Sequence, residues 1–240
     1  MQNPSAPFNR RQFTTAGSVT AAMLMFGYSH AYALSLSDLT DHDASAGLKA
    51  ALEKGAVAAV GMLGATDGFL GNDKVRIPLP GFLNDAANIL KTLGQGKKVD
   101  ELITSMNRAA EAAMPMAKDM LVSAVKSMNV NDAKAILTGG ENSVTKFFAD
   151  KTREPLGVKF LPVVTQAIEK VGMVDKYNAV AGKAAGFGLI KKEDANIQQY
   201  VTGKSLDGLY LMIAEEEKKI RQDPIGAGSD IVKKVFGAIK

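Results

Sequence analysis

Residues 97–128, KKVDELITSMNRAAEAAMPMAKDMLVSAVKSM, decide the fold. Their apolar members, Val99, Leu102, Ile103, Met106, Ala110, Ala113, Ala117, Met120, Leu121, Ala124 and Met128, recur every three or four positions. That spacing draws one apolar face along an α-helix, and such a face is stable only against a second apolar surface. Pro115 has no backbone N–H and crowds the preceding turn, so a kink is expected there.

The same period extends in both directions. Towards the N-terminus, 44–63 carry Leu48, Leu52, Val57, Val60 and Leu63 at helical spacing, with Asp43 placed as a cap. Towards the C-terminus, Asn129 or Asn131 starts a short helix that Gly139-Gly140 ends. Helices are predicted over 143–153 and 155–171, Pro155 opening the second, and near 174–184, before Gly186-Phe187-Gly188. A last long helix, 194–221, is expected to be disturbed at Gly203 and stopped by Asp223-Pro224, and a short amphipathic tail runs from Ser229. Alternating β-branched and aromatic runs, the mark of strands, are scarce. The expected architecture is all-α, a compact multi-helix domain. The exception to the pattern is 64–81, GATDGFLGNDKVRIPLPG, whose glycines, prolines and aspartates forbid continuous helix. Phe69, Leu70, Val75, Ile77 and Leu79 are residues that fix a loop to a core, so an ordered loop is expected.

Residues 1–33 read as an address. They hold no acidic residue, and Arg10-Arg11, in the run NRRQFTT, resembles a twin-arginine export signal. A short apolar stretch follows, and at about 1.5 Å per residue it falls short of a membrane core of about 30 Å. Ala31-Tyr32-Ala33 then has the small-x-small form of a signal-peptidase site, so cleavage after Ala33, a periplasmic mature chain and the export machinery as a partner are expected. The general secretory route is the competing reading. The domain then spans 34–240.

Composition narrows the chemistry. The 240 residues are 46% apolar, enough for a sizeable core. Of 29 basic residues two belong to the signal, so the mature chain is nearly balanced against 25 acidic ones. No run of five like charges remains, which argues against nucleic acid as a partner. No other stretch is apolar enough to span a membrane. There is no cysteine, which excludes disulfides, thiolate metal sites, thiol nucleophiles and lipid attachment. His42 is the single histidine beyond the signal and reads as a solvated residue beside a helix cap. No cofactor and no metal are expected.

Carboxylates are then nearly the only groups left for proton transfer. In the last helix Glu217 falls in the apolar sector of Leu206, Leu209, Tyr210, Ile213 and Ile220, and a carboxylate there must be paired, protonated or bound. Lys151 continues the stripe of Val144, Phe147 and Phe148 in the same way. One reading joins Glu217 to Lys151, or to Arg108, Arg153 or Arg76, between helices. The plainer one leaves Glu217 at a frayed stripe end, paired with Arg221 four residues on, while Lys151 snorkels. Asn107, Arg108 and Glu111 lie off the stripe of the long helix. Solvated surface is their ordinary reading; a polar clamp on loop 64–81, with Arg76 and Asp67 opposite, comes second, and a site for an anionic or polar ligand third. Met106, Met114, Met116, Met120 and Met128 are core filler, or else line an apolar pocket.

Several spaced motifs carry a resemblance. They are Gly68-Phe69-Leu70-Gly71-Asn72, Val75-Arg76-Ile77-Pro78-Leu79-Pro80, Met106-Asn107-Arg108-Ala109-Ala110-Glu111, Ile136-Leu137 before Gly139-Gly140, and Leu206-Asp207-Gly208-Leu209-Tyr210 through Glu215-Glu216-Glu217 to Arg221. In this order the chain resembles an exported bacterial all-helical group, domain-of-unknown-function family four-one-nine-seven, from about Leu36 to Gly237. The resemblance implies a helical fold and export; it implies no activity and no catalytic residue. Two functions follow as expectations. One is a non-enzymatic binding or scaffold protein of the envelope, engaging an apolar ligand or a protein partner. The other is a hydrolase-like enzyme using Glu217 with Glu111 or Asp67 as acid and base.

Overall fold

The computed structural model describes residues 41–223 apart from 84–86, 90, 170–173 and 189–194. The export signal and the tail from Ser229 lie outside the described residues. Among the described residues seven α-helices carry the fold: α1 (Asp41–Gly64), α2 (Gly96–Ala113), α3 (Pro115–Lys126), α4 (Val130–Thr138), α5 (Ser143–Glu169), α6 (Val174–Gly186) and α7 (Ile197–Gln222). No strand occurs among the described residues. The chain is all-α.

Helix α5 is the axis, lying against α7, α2, α3 and α4. Its buried residues are Val144, Phe148, Thr152, Leu156, Phe160, Val164 and Ile168, one at every fourth position. Four residues turn a helix by about 400°, so this line drifts by about 40° per step and faces different neighbours along its length. Fully burying each of its large apolar side chains stabilises the fold by about 1.5–3 kcal/mol. Two expected helices, 143–153 and 155–171, are therefore one. Pro155 and Pro162 sit inside it, on its exposed side. Lys151 and Val158, four residues before each proline, are exposed as well, so water can take up the carbonyls left without an N–H.

The long stripe of 97–128 is buried except at Ile103 and Met120, which are partly buried against the core, and Pro115 ends one helix and opens another instead of bending one. Met106, Met114 and Met128 are buried in the core, whereas Met116 is 42% exposed. Helix α1 packs on α3, α7, α4 and α2 through Leu48, Leu52, Ala56, Ala59, Val60 and Leu63. Val57, expected on that face, points outward, and small alanines take the inward positions. Asp43 is inside α1 and does not precede it. Asn129 caps α4 reciprocally with Asp132, and Gly140, at φ 73°, ends it in the left-handed conformation.

Helix α7 starts at the cap Asn196 and runs unbroken through Gly203. A side-chain carbon added at Gly203 would meet nothing within 4 Å, and one half-buried glycine costs a helix about 1 kcal/mol, too little to break 26 residues. Gly208 is the glycine that matters. A carbon there would lie 2.7 Å from the ring of Phe69, so its bare backbone is what lets loop 64–81 sit on α7.

Candidate functional site

Loop 64–81 is ordered because its apolar residues are inside: Phe69, Val75, Ile77 and Leu79 are all buried. Burying a loop removes water from its backbone, so its N–H and C=O groups need partners. Helix α2 supplies them. Glu111 Oε1 accepts the backbone N–H of Phe69 and of Leu70, both at 3.1 Å. Four residues earlier, one turn along the same face, Asn107 Oδ1 accepts the N–H of Ile77 at 2.8 Å while its Nδ2 donates to the Ile77 carbonyl at 2.9 Å. The side-chain amide thus pairs with Ile77 as a neighbouring strand would. Nδ2 also donates to the Ile103 carbonyl at 2.8 Å. From α7, the Tyr200 hydroxyl donates to the Pro78 carbonyl at 3.0 Å.

Arg108 closes the network. One guanidinium nitrogen donates to Glu111 Oε2 at 2.6 Å and another to Asp67 Oδ1 at 2.7 Å. These bonds, Glu111 first, raise the guanidinium pKa above its already high ordinary value. Asp67 holds a left-handed backbone, φ 65°, where the chain leaves α1, and Gly68 follows with no room for a Cβ, which would lie 2.4 Å from the Met62 carbonyl oxygen. Further along the loop, Lys74 pairs with Glu215 of α7, and that contact lowers the Glu215 pKa.

The expectation that Asn107, Arg108 and Glu111 form solvated surface is corrected for two of them. Asn107 is wholly buried and Glu111 is 6% exposed; Arg108 lies nearer the solvent. With Asp67 they form a clamp on the loop. Arg76, placed opposite them from sequence, is exposed and joins none of these bonds.

Glu217 belongs to a second cluster. It is 5% exposed and sits at the start of α5, where helix N–H groups lack partners. Its carboxylate accepts the N–H of Val144 at 3.3 Å, the N–H of Thr145 at 3.2 Å and the Thr145 hydroxyl at 3.1 Å. Arg221 donates to it from four residues on, at 2.9 and 3.0 Å, and reaches the Ser143 hydroxyl at 2.8 Å and the Ile136 carbonyl at 3.2 Å. The interhelical pair with Lys151 does not form, because Lys151 is exposed on α5. Arg153, another proposed partner, pairs with Asp207 at 2.5 Å and stacks over the Tyr210 ring. The stripe end is not frayed either; a helix start is seated on it.

Sequence reasoning passed over Asn107's bond to Ile77 and Glu217's hold on α5, since in both the partner is backbone. It also passed over Thr152, whose hydroxyl donates to the Phe148 carbonyl at 2.7 Å and meets the Tyr210 hydroxyl at 2.9 Å. Among the described residues no group of three or more acidic or histidine side chains is placed to hold a metal. No described helix is long and apolar enough to cross a membrane. Between α1 and the last turns of α7 lies an open groove of about 450 Å³, with Ala51, Gly55, Ala58 and Ile220 as its apolar part and Lys54 and Glu216 beside them.

The family model described as "protein of unknown function (DUF4197)" matches residues 38–237. Neither a curated protein nor a solved structure matches the chain.

Proposed function

The chain belongs to the DUF4197 family of proteins of unknown function, and we propose that it is an exported, non-enzymatic binding or scaffold protein of the cell envelope. In this reading the signal at 1–33 delivers it to the periplasm, with cleavage after Ala33, and an apolar ligand or a protein partner is what it engages. One observation carries the non-enzymatic part: the two carboxylates buried among the described residues, Glu111 and Glu217, are committed to structural bonds. A general acid or base needs an oxygen directed at an open cleft and a proton that can leave and return. Glu111 spends one oxygen on two backbone N–H groups and the other on Arg108. Glu217 is held by two N–H groups, a hydroxyl and Arg221. Asp67 is tied to Arg108. The hydrolase reading keeps no uncommitted carboxylate among those it named. The groove between α1 and α7, apolar at its floor, supports a binding role.

Native mass spectrometry of protein released from the periplasm, paired with an ester- and glycoside-hydrolysis screen, tests this. The expected result is a bound apolar molecule or partner chain and no turnover. Turnover abolished in folded Glu111→Gln or Glu217→Gln would overturn it, and a bare chain would count against binding.

A further inference from the structure

The groove between α1 and α7 has small residues of α1 in its floor, and at one of them the packing gives no reason for smallness. A side-chain carbon added at Gly55 would stand 3.7 Å from Glu216 Cβ and 3.7 Å from Ile220 Cδ1, ordinary contact distances. Alanine would therefore fit, and it suits the middle of a helix better than glycine. What the glycine keeps is an opening in the floor. Beneath it a narrow apolar crevice runs between α1, α5 and α7, bounded by Leu52, Ala56, Val144, Phe148 and Ile213. Ala51, Gly55, Glu216 and Ile220 line both the groove and the crevice, so the two adjoin at Gly55.

The crevice holds about 10 Å³, the space of a single water, and apolar walls keep such a space dry. Those walls forgo dispersion contacts that the end of a hydrocarbon chain would restore. The groove outside differs in size and in chemistry. Its volume of about 450 Å³ lies towards the small end of ligand pockets, which run from about 300 to 1,000 Å³, and suits one slender chain. Beside its apolar floor stand Lys54 and Lys219 with Glu216 and Asp223, two charges of each sign among the described residues. Lys219 bonds Glu216 at 2.6 Å, with the lysine largely exposed, and such a pair costs little to exchange. A head group carrying both charges joins these residues and leaves no charge unbalanced, whereas an anionic head adds a third negative charge to the two already there.

We propose that the groove takes a single-chain lipid with a zwitterionic head, of the lysophospholipid class. Its chain lies on Ala51, Ala58 and Ile220, its terminal methyl enters the crevice beside Gly55, and its phosphate and ammonium sit among Lys54, Lys219, Glu216 and Asp223. This rests on the binding role proposed above and names the ligand class of the same groove.

The test is calorimetric titration of protein released from the periplasm and freed of bound lipid. The probes are myristoyl lysophosphatidylethanolamine below its micelle concentration, and myristate and phosphoethanolamine as the chain and the head alone. The lysolipid should bind saturably and about tenfold more tightly than either part. Gly55→Ala should leave the thermal midpoint unchanged or higher, yet weaken lysolipid binding about tenfold, because one methyl group closes the crevice. Ala58→Leu, at a half-buried position of the groove, should weaken it by a similar factor, with circular dichroism confirming that both variants fold. Absence of saturable binding, unchanged affinity in both folded variants, or myristate binding as tightly as the lysolipid would overturn the proposal. If native mass spectrometry of the untreated protein then still finds another bound molecule or a partner chain, the binding role stands and this assignment alone falls; a bare chain removes both.

Discussion

Asn107 shows how one side chain can decide the state of a loop. Its amide offers an acceptor and a donor in the spacing of a peptide unit, and Ile77 uses both. Asp at this position keeps the acceptor but turns a carboxylate oxygen towards the carbonyls of Ile77 and Ile103. Asn107→Asp is therefore expected to lower stability by about 2–3 kcal/mol in urea denaturation. Gly208 acts on the same loop from the other side. With 2.7 Å between a new Cβ and the Phe69 ring, Gly208→Ala forces Phe69 to shift, at about 1–3 kcal/mol, a loss readable as a lower thermal midpoint. The role of Gly208 was not legible from sequence, and that of Asn107 was reached only as the second reading, a polar clamp on the loop. The period placed Asn107 off the apolar stripe, which looks like solvent, because a periodicity argument does not count the backbone groups a buried loop must satisfy.

At the scale of elements, the N-terminus of α5 is held by a residue 73 positions away, Glu217 against Val144. A carboxylate at a helix start meets orphan N–H groups and the positive end of the helix dipole. Glu217→Gln should cost about 2–4 kcal/mol, since Arg221, itself 14% exposed, keeps its burial and loses its charge partner. Lys151→Met should stay within about 0.5 kcal/mol, as surface changes do, and the double variant should be additive in denaturation experiments. A coupling above that would restore the interhelical pair. The sequence did mark Glu217 as anomalous, a charge on an apolar stripe. Its local partner Arg221 was also foreseen, but the helix start it holds was not, because no side-chain pattern records which backbone end will arrive there. Tyr210 gives the α5–α7 contact a pH signature. Burial raises its pKa above the ordinary value, only partly opposed by Thr152 and Arg153. Below pH of about 10 both folded and unfolded chains keep the proton. Above it the unfolded chain ionises first, so stability should fall as pH climbs towards the raised folded value, and Tyr210→Phe should remove that part of the alkaline loss.

For the whole molecule, periodicity was sufficient where helices are long and one-sided, as in α2 and α3, and it misjudged junctions. Pro155 looked like a helix start because the rule for proline at the first turn is local. Whether a proline interrupts a long helix depends on whether water reaches the carbonyl four residues back, and on α5 the residues at those positions are exposed. The ordered loop was legible from Phe69 and Ile77, since apolar residues amid glycines must go inside. The proposed function has Glu111 and Glu217 hold the structure and not serve a reaction. Residues that serve a reaction are commonly held at a cost to stability, so replacing them leaves a protein as stable as before or more so. Glu111→Gln tests this most directly: glutamine keeps an acceptor for Phe69 and Leu70 but loses the charge and can turn its amide towards Arg108. Urea denaturation should show a loss of about 2–4 kcal/mol against the parent chain; unchanged or increased stability would contradict the claim.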